Sequence, residues 1–173
     1  MSPRAKVRAG AAMLVSLASM VGVQGVGTTP AKAMPRVVHA TGTATLTDFE
    51  FVDVVSQGQQ CLIYVNQTIA YAGELEGTSE DVQPSATRFF ATCDELRATG
   101  SAGIRSTYSA TRHFVGTDGK EATLRAFAIG DGAGNYQGII AVHGDLNGLL
   151  HESASPPDFP PTSTYDGVLV VSN

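Results

Sequence analysis

From residue 37 onward, apolar and polar side chains alternate in short runs broken by glycine, and no long window holds a period of 3.6. The runs are rich in threonine, valine, isoleucine, phenylalanine and tyrosine, which favour strands. The pattern predicts strands over Val37–Val55, interrupted near Thr47, then Gln60–Tyr71, Glu74–Val82, Ala86–Cys93 and Gly103–Val115. It continues with Glu121–Ile129, Asn135–Gly144, Leu146–Glu152 and Thr164–Val171. Gln57-Gly58, Thr99-Gly100, Asp118-Gly119 and Asp131-Gly132 mark turns, and the stretch Cys93–Ala98 allows one turn of helix. Ser155–Ser163 (SPPDFPPTS) reads as a loop crossing one end of the structure, because proline cannot donate to a ladder. Eight or nine strands at this spacing predict an all-β fold, a sandwich or a closed barrel; a single antiparallel eight- to nine-stranded β-barrel is the architecture expected here.

Asp118-Gly119 gives the sharpest register. A two-residue turn sets Thr117 opposite Lys120. One face then collects Ser109, Thr111, His113 and Val115 with Ala122, Leu124, Ala126 and Ala128; the other collects Tyr108, Ala110, Arg112 and Phe114 with Thr123, Arg125, Phe127 and Ile129. Arg112 would face Arg125, a costly pair inside a protein, so the alanine-rich face is expected inward, carrying His113 with it. In Gln60–Tyr71 the odd positions Cys61, Ile63, Val65, Gln67, Ile69 and Tyr71 form the expected interior set. Short side chains on a barrel wall leave a cavity, and a cavity is a ligand site.

The first 33 residues read differently. Arg4, Lys6 and Arg8 precede an apolar run, Ala9 to Val26, and Ala31-Lys32-Ala33 closes it: the pattern of a cleavable Sec-type signal peptide. The expected organisation is therefore a leader over 1–33 and one β-barrel domain over 34–173, secreted, without stable membrane insertion after cleavage. The leader holds four of the eleven basic residues and none of the sixteen acidic ones. The remaining chain is thus strongly acidic, which argues against nucleic-acid partners. Export favours pairing the only two cysteines, Cys61 and Cys93; the chain-entropy effect of that loop is about 3–4 kcal/mol.

Catalytic letters are sparse. His39, His113, His143 and His151 show no metal-ligand spacing, no serine sits in a nucleophile elbow, and no glycine-rich loop opens a helix. No metal and no cofactor are expected. Tyr71 and His113 are the first candidates for polar, catalytic assistance, with Tyr64, His143 and Asp145 behind them. Tyr64, Ile63, Val65, Ile69, Leu124, Ala126 and His143 are the candidate ligand-binding residues.

The glycine spacing runs through Ile69–Val82 (IAYAGELEGTSEDV), His113–Lys120, Gly130–Gly138 (GDGAGNYQG) and Val142–Leu149. In this the chain resembles the allene oxide cyclase-like and dirigent-like small β-barrels of calycin type, over most of 41–171. The resemblance implies a lumen that folds a flexible apolar substrate, and families on this barrel include cyclases of unstable epoxides and of polyketides. No catalytic residue carries over by motif. Two functions follow as expectations: a cofactor-free cyclase or isomerase that closes a ring in a hydrophobic small molecule, or a non-catalytic secreted barrel that binds an apolar ligand or a protein partner. Homo-oligomers are compatible with either.

Overall fold

The computed structural model describes residues 34–155 and 161–172. The expected leader over 1–33 lies outside the described residues, as does 156–160 of the proline-rich segment. The strands are β1 (Arg36–Gln57), β2 (Gln60–Gly73), β3 (Gly77–Phe89), β4 (Ser106–Gly116), β5 (Glu121–Gly130), β6 (Tyr136–Gly144), β7 (Leu146–Ala154) and β8 (Thr162–Val171), with one short helix, α1 (Cys93–Thr99), between β3 and β4. Each strand pairs antiparallel with the next, and β8 pairs back onto β1, so the sheet closes into an eight-stranded ring. Closure runs from Arg36 opposite Val171 to Thr45 opposite Thr162.

The interruption read at Thr47 is a register shift between Leu46 and Asp48 inside one continuous strand. The two strands expected over Glu74–Cys93 are likewise one, β3. Its pairing with β4 is irregular from Asp81 to Ala86, around Pro84, where a ladder donor is missing. Cys61 and Cys93 form a disulfide, with Cα atoms 4.7 Å apart, that ties the start of α1 to β2. Thr92 caps α1, its hydroxyl accepting from the Glu95 amide at 3.2 Å, and Gly100 ends it in a left-handed conformation that glycine tolerates.

The β4–β5 hairpin corrects the expected register. The loop has three residues, not two: Gly116 faces Lys120, and the Gly119 amide donates to the Gly116 carbonyl at 3.0 Å. Gly119 has a φ of 79°, the left-handed position of a turn followed by a one-residue bulge. The extra residue shifts the pairing by one and turns β4 over relative to β5. Ala122, Leu124, Ala126 and Ala128 do face inward, as expected, but their β4 partners are Phe114, Arg112, Ala110 and Tyr108. Arg112 therefore lies beside Leu124, not Arg125. Alanine 122 beside Phe114 and alanine 128 beside Tyr108 make room for the two rings.

One end of the ring is packed solid. Tyr71, Leu75, Phe114, Leu124, Val142, Leu146, Tyr165 and Leu169 share one buried cluster, and the Tyr71 ring meets Phe114 edge-on at 5.7 Å. The Tyr165 hydroxyl accepts from the Leu75 amide at 2.9 Å and donates to the Ala72 carbonyl at 3.1 Å. It fits because Gly42 has no side chain: a Cβ there would come within 2.4 Å of that hydroxyl. The opposite end of the ring is not filled.

Candidate functional site in the lumen

The unfilled end holds a cavity of about 240 Å³ lined by residues of all eight strands. Its apolar wall is made by Ala44, Leu46, Ile69 and Ala128; its polar wall by Gln67, Tyr108, Arg112, Tyr136, Glu152 and Ser163. The alternation of each strand brings these groups inward. Tyr108, Ala110, Arg112 and Phe114 alternate on β4; Leu146, Gly148, Leu150 and Glu152 on β7; and Ser163, Tyr165, Gly167 and Leu169 on β8.

Arg112 organises the first half of the polar wall. Its Nε donates to Asp81 Oδ1 at 3.2 Å, with both side chains out of solvent. Its Nη2 reaches Gln67 Oε1 at 3.2 Å and the Tyr108 hydroxyl, while Tyr108 donates to Gln67 Oε1 at 2.6 Å. The Gln67 backbone amide closes the network on Asp81 Oδ2 at 3.0 Å. Desolvation alone would lower the Arg112 pKa; the acidic groups around it, Tyr108, Tyr71, Asp81 and Glu152, outweigh that, so it is raised and the guanidinium stays charged. Burial is also the first cause at Asp81, whose pKa it raises against the pull of Arg112, Ser85 and the Gln67 amide. Burial pushes the Tyr108 phenol up to about 12.

The second half centres on Glu152. The Ser163 hydroxyl donates to Glu152 Oε1 at 2.5 Å, and Tyr136 lies against both. Burial first, then the Glu152 charge, push the Tyr136 phenol well above its ordinary range. Below the cavity the buried hydroxyls of Tyr71 and Ser79 find no hydrogen-bond partner among the described residues. The Tyr71 phenol is raised by burial, against the opposing charge of Arg112. A guanidinium–phenol pair and a carboxylate–phenol pair thus share one small lumen. Such an arrangement can hold an oxygen acceptor at one wall and take or share a proton at the other.

The residues singled out from sequence divide by face. Ile69 lines the cavity, Ile63 is paired with Thr87, which also lines it, and Val65 is buried on the same strand. Leu124 and Ala126 pack in the core, and Tyr71 lies among them. His113 is a correction: the shifted hairpin puts it on the outer face, half exposed, where its Nε2 lies 3.2 Å from Glu121 Oε2. His143 is exposed on the same outer face, opposite Thr123, which pairs with His113. Tyr64 is a third, set in an external groove with Val52, Val55, Ala86 and Ser109. Asp145 accepts from the Glu121 amide at 3.1 Å and serves the turn, not the lumen.

Arg112, Tyr108, Asp81, Tyr136, Glu152 and Ser163 are functional candidates that the sequence reading passed over. Glu152 and Ser163 were accessible to it, since each continues an inward apolar alternation. Arg112 was hidden by the one-residue error in the hairpin. Among the described residues, no group of three or more histidine, cysteine, aspartate or glutamate side chains could hold a metal ion, and no helix is long and apolar enough to cross a membrane. In comparisons with known proteins, no protein-family model matches the chain and no curated protein is similar to it in sequence.

Proposed function

We propose that the lumen is the working site of a cofactor-free cyclase or isomerase, acting on a small molecule that carries a carbonyl or similar oxygen acceptor. The observation that carries this reading is the placement of buried Arg112 and buried Glu152 on one cavity of about 240 Å³. The apolar part of the substrate lies against Ala44, Leu46, Ile69 and Ala128. Its oxygen accepts from the Arg112 guanidinium, which stabilises negative charge as it develops there. Glu152 takes a proton from the substrate and returns it to the product as the bond rearrangement completes, with Ser163 and Tyr136 holding the carboxylate in place. Confinement of a flexible chain lowers the entropic part of the barrier to ring closure. A closed antiparallel ring of eight strands is compatible with the allene oxide cyclase-like resemblance, and membership of that family belongs to this proposal. So does export, with which the disulfide is consistent.

Native mass spectrometry of the protein purified from its own host identifies the small molecule that travels with it. Incubating the open-chain form of that molecule with wild type and with Glu152→Gln then tests the reaction. Conversion by wild type and a loss of about 100-fold or more in turnover at saturating substrate in the variant is the expected result. A product distribution equal to the uncatalysed one, with stoichiometric binding, would remove the enzyme and leave a carrier of the same ligand.

A further inference from the structure

The interior charges do not balance. Among the described residues, Arg112, Asp81 and Glu152 are the charged side chains buried inside the ring. Arg112 and Asp81 satisfy one another at 3.2 Å. Among the described residues Glu152 makes no direct ion pair: the hydroxyls of Ser163 and Tyr136 are its hydrogen-bonding neighbours, and Arg112, already paired with Asp81, acts on it only across the lumen. A buried carboxylate with no cation in direct contact is costly, and the cost falls when a positive group comes within reach. The cavity leaves room for one at that place, because Glu152, Tyr136 and Ser163 all line it. A carboxylate beside an aromatic ring is also the pairing that recognises organic ammonium groups.

We infer that the lumen selects a small organic cation: an ammonium group seated on Glu152 and Tyr136, with a neutral oxygen acceptor turned toward Arg112. The inference rests on the lumen being the working site and adds the charge of what enters it. An anionic ligand is disfavoured because it would share the same small lumen with the Glu152 carboxylate.

Three probes of matched size separate the possibilities: benzylammonium, benzyl alcohol and benzoate. Each is titrated into the wild-type protein, with amide chemical shifts locating the contact. The expected order is benzylammonium about tenfold or more tighter than benzyl alcohol, with benzoate weakest, and shifts centred on Ala128, Glu152 and Ser163. Glu152→Gln brings the amine down to the level of the alcohol. If benzyl alcohol or benzoate binds in the lumen as tightly as the amine, the charge assignment is wrong and the lumen survives as a ligand site. If none of the three shifts a lumen residue, the lumen reading itself fails, and the inference with it.

Discussion

Arg112 shows how one side chain can be decisive for the interior of a barrel. It is nearly free of solvent, it joins β4 to β3 and β2 through Asp81 and Gln67, and it lines the cavity. Arg112→Leu leaves the Asp81 carboxylate buried without its cation, which costs about 3–5 kcal/mol in a urea melt. The double variant Arg112→Leu with Asp81→Asn recovers most of that loss, because neither charge is then stranded. Gly42 makes the complementary case, where nothing may be added. A methyl group there meets the Ala72 carbonyl at 2.0 Å and the Tyr165 ring, neither free to move, so Gly42→Ala lowers the thermal midpoint markedly.

Among elements, the β4–β5 hairpin carries the lesson about what a sequence reveals. Asp118-Gly119 announced a turn correctly, and the alternation of both strands was plain. Whether two or three residues span the turn is a small backbone difference, set by Gly119 adopting positive φ and by the Asp118 carboxylate accepting from the Lys120 amide at 3.1 Å. That difference decides whether His113 or Arg112 faces the lumen. Where alternation stood alone, as in β2 and β5, the inward face was legible; where it depended on turn geometry, it was not. The lumen chemistry was therefore missed even though the sheet class, most strand positions and the disulfide were readable. Replacing Gly119 by Ala strains the left-handed position and costs about 1 kcal/mol or somewhat more in chemical denaturation. The disulfide acts at the same scale, by holding α1 against β2. Cys61→Ser with Cys93→Ser lowers unfolding free energy by about 3–4 kcal/mol, with the loss absent under reducing conditions, where wild type and variant melt together.

Across the whole molecule, tyrosines tie stability to alkaline pH. Tyr71, Tyr108, Tyr136 and Tyr165 are all raised above the ordinary value of 10, each chiefly by burial. A phenol whose folded pKa lies above its unfolded pKa contributes stability that is fully present below the unfolded value and is lost as pH rises toward the folded one. For Tyr108 that window runs from 10 to about 12. Thermal midpoints should therefore be steady up to about pH 10 and fall steeply beyond it. Tyr108→Phe should make that fall shallower, and in a Tyr64→Phe background phenolate absorbance should rise together with unfolding, not before it. A midpoint indifferent to pH across that window would contradict the burial of these rings.

The seam between β1 and β8 has a consequence for biogenesis. β8 is translated after the other seven strands, yet it supplies the pairing for Arg36 through Thr45 and the Tyr165 plug beneath the lumen. A nascent chain that stops short of it has two open ladders, on β1 and β7, and an unsealed floor. Closure of the ring thus waits for β8, whatever hairpins the earlier strands have already formed.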